Sequence, residues 1–338
     1  MRAESEREDR GYCRRVLPHV SRTFAINIRL LSGSLRDAVE VGYLLCRTAD
    51  ALEDSWPGEP SAVEGRFDLL QAAIGGDEAA ARALAARAEP LAAGRADLAL
   101  VASLPRVWRA WRALPSPDRE CVGEGVATMT EGMRRYAGRA AGRPPGLPYL
   151  DTEAELHEYC FVVAGCVGVM LTRLAARRAP AAAAVEARRL ALAPRVGEAL
   201  QLTNILLDWP SDVRRGRCHL PAEWLAQWGL APEALVDRDH PGVRALAERL
   251  EGMARGALAA VPDYLDLFPV RMARYRLFCL WPALWALGSL RHAHHDPEFP
   301  WGLRRPRLPR AELWRVALTS LLVAHHGATL RRLYAAAA

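Results

Sequence analysis

The sequence predicts an all-α protein, and three observations carry that prediction. Apolar residues recur with the period of a helix in seven long segments: 35–54, 120–138, 153–177, 186–212, 243–260, 271–292 and 311–334. No run of alternating β-branched residues offers a competing strand pattern. A chain of 338 residues can bury a large core, and neither an internal repeat nor a strong domain boundary interrupts it.

The elements follow in order. Residues 1–20 read as a charged lead-in helix, after which comes Ser21-Arg22-Thr23-Phe24. The helix over 35–54 buries Val41, Leu44 and Leu45 and ends in acids, because the breaker at 55–62 (Ser-Trp-Pro-Gly-Glu-Pro-Ser-Ala) follows Asp54 directly. Pro144, Pro145, Gly146 and Pro148 make 139–149 a linker with the character of a flap near a pocket mouth. Within 186–212, Pro210 cannot donate a backbone hydrogen bond, so a kink or frayed turn is expected there. A basic turn, Arg214 to Pro221, comes next, and 293–310, rich in His, Pro and Arg, is the last clear loop.

Composition narrows the function classes. The net charge of +6 comes from arginine alone, since the chain has no lysine. That bias, with the alanine-rich stretches 78–93 and 175–193, has the look of a GC-rich coding sequence. The arginines are scattered and no aromatic-and-basic ladder accompanies them, so nucleic acid is not the expected partner. Acidic ligands or anionic membrane surfaces fit the charge better. The seven cysteines include no C-x-x-C pair and sit mostly in apolar helical stretches, as reduced, buried residues of a cytoplasmic protein do. The N-terminus lacks the apolar core of a signal peptide, and no stretch is expected to reach the ~20 apolar residues that span a bilayer. The expectation is a soluble or peripherally membrane-associated protein.

Two acidic clusters point to chemistry. Asp50-Ala-Leu-Glu53-Asp54 and Asn204-Ile-Leu-Leu-Asp208-Trp-Pro-Ser-Asp212 each place two aspartates four residues apart, one turn above the other on one helix face. Tyr43, Arg47, Asp50 and Asp54 form one stripe; Asn204, Asp208 and Asp212 form another, with Gln201 about a turn earlier. A lone D-x-x-x-D is usually a solvated helix face. Here the surrounding apolar residues bury the helices, and a carboxylate in a core needs a compensating cation. The first pair also lies at the negative pole of its helix, which disfavours carboxylates unless a cation binds. Mg²⁺ suits both, because it takes oxygen ligands and bridges carboxylates to phosphates. Two such ladders facing one cavity would hold a diphosphate.

These residues resemble the squalene/phytoene synthase family. The likeness runs from about residue 13 to residue 320 through Ser21-Arg22-Thr23-Phe24, Tyr43 to Asp54, Met129-Thr-Glu-Gly-Met133, Tyr159 to Gly168, Gln201 to Asp212, Gly216-Arg217 and Phe278 to Pro282. The strings Tyr-Cys-x-x-Val-Ala-Gly-x-Val-Gly and Phe-Cys-x-x-Pro resemble its squalene-forming members more than its phytoene-forming ones. The resemblance implies a single helical domain over 1–338, bundled around a central apolar cavity. It implies head-to-head joining of two farnesyl diphosphates through presqualene diphosphate, then reduction by NADPH. It also implies roles. Asp50, Asp54, Asp208 and Asp212 would bind Mg²⁺, joined by Glu53 and Asn204. Arg22, Arg47 and Arg217 would donate to diphosphate oxygens, with Ser21, Phe24, Tyr43 and Gln201 in the substrate site. Tyr159 would handle the proton lost in cyclopropane formation; its plainer reading is a core tyrosine packed on Val162 and Val163. Phe278, Trp281 and Trp285 would line the pocket, against a plainer reading as core; for Trp281 and Trp285 the two readings stand level.

Three positions depart from the family pattern. Leu207 stands where an arginine is usual, and Arg214 or Arg215 are the nearby substitutes. Ser211 stands where an acid is common, and Ala283 where squalene synthases tend to have glutamine. An enzyme that stops at presqualene diphosphate, an unreduced or phytoene-type product, and a non-catalytic scaffold are the alternatives. His292, His294, His295 and Asp296 fall at a helix end and read as solvated residues rather than a metal site, as does the His325-His326 pair. No G-x-G-x-x-G element is present.

Overall fold

The computed structural model describes residues 2–57, 62–238, 240–302, 305–306, 308–323 and 326–337. Among them there is no strand beyond an isolated bridge between Pro148 and Cys218, so the all-α expectation holds. Within the breaker, residues 58–61 lie outside the described set, as does His325. The chain divides into two compact units, Met1–Gly142 with Val169–Arg178, and Arg143–Gly168 with Ala179–Ala338.

The first unit is built on α3 (Gly33–Asp54), preceded by α1 (Arg2–Val20) and α2 (Arg22–Ile28). Val41, Leu44, Leu45, Ala49 and Leu52 are buried along α3 and make it the core helix that its periodicity predicts. Four short helices follow: α4 (Val63–Ile74), α5 (Glu78–Ala88), α6 (Ala96–Ala102) and α7 (Leu104–Arg112). The alanine-rich stretch from 78 is thus largely a real helix, capped by Asp77 on Ala79 and Ala80. α8 (Ser116–Ala141) packs on α3 and α4. α1 is tied down through Asp9, buried at 2% exposure, which takes hydrogen bonds from Arg106 and Arg109. An otherwise costly buried carboxylate is thereby paired.

The second unit is organised by α11 (Ala183–Arg214), which runs unbroken through Pro194 and Pro210. The frayed turn expected at Pro210 is not seen. Pro210 is buried, and the helix continues past it for one turn to Arg214. Before α11 come α9 (Glu153–Cys160), a five-residue π turn (Phe161–Gly165) and the start of α10 (Cys166–Ala176). α11 crosses the π turn so closely that a Cβ on Gly197 would lie 2.2 Å from the Ala164 carbonyl oxygen. After α11 come α12 (Ala222–Gln227), α13 (Pro241–Leu258), α14 (Val261–Asp266) and α15 (Ala273–His295). The final segment, expected as one helix over 311–334, is two: α16 (Arg310–Val323) and α17 (Gly327–Ala337). Both halves carry apolar residues at helical spacing, so periodicity alone could not expose the break.

Two further expectations change. The linker at 139–149 is no loose flap. Gly146 N–H donates to the Gly216 carbonyl at 2.6 Å, Pro148 bridges to Cys218, and Tyr149 bonds His219 at 2.5 Å. Second, the stretch Glu153–Ala176 is long and apolar enough, by length and composition, to cross a membrane, at mean hydropathy 1.8. Half of that window is buried inside the chain. The seven cysteines form no disulfide. Burial pushes thiols such as Cys13, Cys166 and Cys218 up to about 12, so they stay protonated.

Candidate active site

The first acidic cluster occupies the last turn of α3, which ends at Asp54 as the breaker predicts. Arg47 lies one turn before Asp50, its Nη1 3.5 Å from an Asp50 oxygen. The same guanidinium makes a two-point fork with Asp97 at the start of α6, at 3.1 and 2.7 Å. Ser55 Oγ donates to Asp97 at 3.2 Å. Burial pushes the Asp50 carboxyl up to about 7; Arg47 opposes the shift and Asp54 adds to it. The Asp50 side chain keeps 33% of its surface open, so the acid is accessible yet poorly solvated. Asp54 is exposed and Glu53 half-buried.

Upstream on the same face, the Tyr43 ring meets that of Phe24 at 5.2 Å. Burial pushes the Tyr43 hydroxyl up to about 12, and Ser21 hydrogen-bonds it. Ser21 also caps α2, accepting from Phe24 N–H at 3.3 Å. The Ser21, Phe24, Tyr43, Arg47 and Asp50 set therefore comes together. Arg22 is exposed on the first turn of α2, and no recorded contact joins it to that set.

The second cluster lies in the last three turns of α11. Gln201 is half-buried, Asn204 exposed and Asp212 buried, with Asp208 between at 29% side-chain exposure. Arg305 Nη1 reaches both Asp208 oxygens at 2.8 and 2.7 Å, and its Nη2 donates to Asn204 Oδ1 at 3.0 Å. Burial raises the Asp208 carboxyl above its usual range; Arg305 counters this and Asp212 reinforces it. Asp212 takes Arg215 Nη2 at 2.6 Å and faces His219 Nε2 at 3.6 Å. Asp212, Arg217 and His219 line a cavity of about 10 Å³, room for about one water.

Neither substitute for the arginine absent at 207 is available. Leu207 is buried at 2%, Arg214 donates to the carbonyls of Pro210, Gly302 and Trp301, and Arg215 is bound to Asp212. Ser211 does not replace the absent acid, since its hydroxyl donates to the Asp208 carbonyl at 2.8 Å.

Tyr159 lies in the last turn of α9, next to the π turn, a distortion common at functional sites. It is 5% exposed and packs edge-on to Tyr149 at 5.8 Å and tilted over His219 at 5.6 Å. Trp281 is a core residue, its indole N–H donating to Ser320 Oγ at 2.7 Å. Trp285 packs against it at 5.8 Å. His292 and His294 lie in the last turn of α15 as expected, but they pair with Glu312 and Glu251 instead of standing solvated.

Asp97, Tyr149, His219 and Arg305 join these groups although the stripes do not include them. His219 belongs to the basic turn already visible in the sequence. Asp97 and Arg305 carry no local signal, being 50 and 97 residues from their partners.

The acids fit a magnesium ion. Among the described residues no three His, Cys, Asp or Glu side chains form a ready-made cage. Mg²⁺ does not need one, since it binds through one or two carboxylates with phosphates and waters. Asp50 and Asp208 offer such carboxylates, each part-exposed and beside a guanidinium.

The squalene/phytoene synthase family model matches residues 17–312. The chain belongs to that family. It is 34% identical over 242 residues to phytoene synthase from Thermus thermophilus, covering 71% of this chain and 69% of that protein. It is 28% identical over 294 residues to squalene synthase BSS from Botryococcus braunii, covering 84% of this chain but only 58% of that one. Among solved structures, a ligand complex of TcSQS matches at TM-score 0.73 and 23% identity, over 97% of this chain and 92% of that one. A dehydrosqualene synthase matches at 0.60 and 21%, over 95% and 99%. At these identities the structural likeness establishes the fold. The family is one of head-to-head prenyltransferases acting on isoprenyl diphosphates.

Proposed function

We propose that the protein joins two farnesyl diphosphates head to head through presqualene diphosphate and, with NADPH, reduces the product to squalene. The observation that carries this reading is the pair of aspartate stripes, each with a desolvated carboxylate held by an arginine, in a chain of this family. Asp50, Asp54, Asp208 and Asp212, with Glu53 and Asn204, are the residues that would hold Mg²⁺. Bound there, the ion would neutralise charge on the departing diphosphate.

The chain's own residues do the rest. Arg22, Arg47 and Arg217 donate to diphosphate oxygens, for which a planar guanidinium is suited. Ser21, Tyr43 and Phe24 line the approach to Asp50, and Gln201 orients groups at the second stripe. Tyr159, nearly buried against Tyr149 and His219, is the residue placed to handle the proton released in cyclopropane formation. The carbocation formed in this chemistry requires water to be excluded around it. The choice of squalene rests on the strings at Tyr159 to Gly168 and Phe278 to Pro282, with the 84% coverage by the Botryococcus relative in support.

A second reading, an enzyme releasing an unreduced product, has one specific observation in its favour. Ala283 is buried at 1% and offers no polar group where a nicotinamide contact would be sought. The purified protein with Mg²⁺ and either farnesyl or geranylgeranyl diphosphate, with and without NADPH, separates the readings by mass spectrometry. Squalene from the C15 substrate only with NADPH is the expected result. A C30 product unchanged by NADPH selects the second reading. Phytoene from the C20 substrate overturns the chain length, and no consumption of either substrate leaves a non-catalytic scaffold.

A further inference from the structure

Arg305, which is not among the expected site residues, rests on the second acidic stripe. It covers both oxygens of Asp208 and the side-chain oxygen of Asn204, with three contacts between 2.7 and 3.0 Å. Those are the oxygens a divalent ion would take at this stripe, so guanidinium and metal compete for the same lone pairs. The pair is half-open, at 34% and 29% side-chain exposure, which lets it exchange without disturbing the core. The stripe also lacks the arginine usual at 207, and neither Arg214 nor Arg215 takes its place.

From this we infer that Arg305 is an exchangeable counter-cation of the second stripe, competing with the metal for Asp208 and turning its donors onto diphosphate when a metal–diphosphate displaces it. The inference rests on the proposed diphosphate site. Its consequence is thermodynamic: a metal alone must displace a charge-assisted pair, whereas a metal arriving with diphosphate supplies the guanidinium with new acceptors. Metal and pyrophosphate should therefore bind the second stripe with positive coupling, and Arg305 should be a source of it.

The test uses the full chain, Mn²⁺ as a spectroscopic probe and inorganic pyrophosphate. Bound Mn²⁺ is followed by electron paramagnetic resonance in the native protein, Arg305→Gln, Arg305→Lys and Asp208→Asn. The expected result is that Arg305→Gln binds Mn²⁺ alone about tenfold more tightly than the native protein, the scale of losing one charge-assisted pair. The tightening by pyrophosphate should shrink in the same variant, and Arg305→Lys, with its charge but no fork, should fall between the two. Native Mn²⁺ affinity in Arg305→Gln, alongside loss of a site in Asp208→Asn, overturns the inference and leaves the diphosphate reading standing. Native Mn²⁺ and pyrophosphate binding in Asp208→Asn overturns the diphosphate reading at this stripe, and the inference with it.

Discussion

The two acidic stripes share a spacing, yet they are supplied with cations in different ways. In the first, Arg47 comes from the same helix, one turn before Asp50, and has a carboxylate partner of its own in Asp97. In the second, the cation on Asp208 comes from Arg305, 97 residues along the chain, and its recorded partners are Asp208 and Asn204. The first arginine is held beside its acid by a third group, whereas the second rests on the acid itself. That difference teaches how one sequence motif can give a prearranged site in one place and a site under competition in another.

The largest effect tests what the stripes have in common. Asp50→Asn and Asp208→Asn each remove a charge that the proposed chemistry needs at the departing diphosphate. Each should lower turnover of farnesyl diphosphate by about 10³-fold, or ~4 kcal/mol in the barrier, with thermal stability little changed. Native turnover in either variant would separate that stripe from catalysis and end the comparison.

The scaffolds behind the stripes differ too, and glycine substitutions expose it. In the second unit a Cβ on Gly197 meets the Ala164 backbone at 2.2 Å, where α11 crosses the π turn. In the first, a Cβ on Gly138 would meet the carboxylate end of Glu64, a flexible and half-exposed side chain that can swing aside. Gly197→Ala should therefore cost about 3 kcal/mol and Gly138→Ala less than about 1 kcal/mol in denaturant unfolding. Equal costs would show that the π turn yields as readily as a glutamate side chain.

The sequence makes the same distinction between near and far. The helical class, the core face of α3, the position of Asp54 at its end and the stripes themselves follow from period and breakers, because these are contacts within a few residues. The break between α16 and α17 was not legible, nor was the unfrayed turn at Pro210 within a helix the period did predict, since tertiary packing settles both. Of the site, Arg47 beside Asp50 could be read from a one-turn spacing. Asp97 and Arg305 could not, as each lies on a separate element with no pattern of its own. Tyr149 and His219 fall between these cases: both sit in segments recognisable as turns, but only folding pins one turn to the other.

The body of α3 carries a pH dependence of its own, beside that of Asp50 at its acidic end. Glu40 is 2% exposed, and its nearest cation is Arg36 at 3.8 Å. Burial pushes its carboxyl up to about 7 from an ordinary 4.5. Between those values the folded chain binds more protons than the unfolded one, so stability falls as pH rises from about 4.5 through about 7. The contribution is full below that window and lost above it. Glu40→Gln should flatten this slope, gaining on the order of 2 kcal/mol relative to the native protein at pH 8 and little at pH 4. A parallel pair of stability–pH curves would show that Glu40 stays ionised without penalty.

The smallest effect bears most directly on the two arginines. Asp97 takes Nε and Nη2 of Arg47, leaving Nη1 towards Asp50 at 3.5 Å, longer than any Arg305 contact to Asp208. Removing the Asp97 charge frees the guanidinium to close on Asp50, as Arg305 closes on Asp208. Asp97→Asn should therefore weaken Mn²⁺ binding at the first stripe by about threefold, while the part-buried pair it breaks costs about 1 kcal/mol of stability. The sign is opposite to that expected for Arg305→Gln, although both substitutions remove one half of an arginine–carboxylate pair. Tighter Mn²⁺ binding in Asp97→Asn would mean that Arg47 leaves the stripe altogether once unheld, and that the first site, too, depends on where its arginine rests.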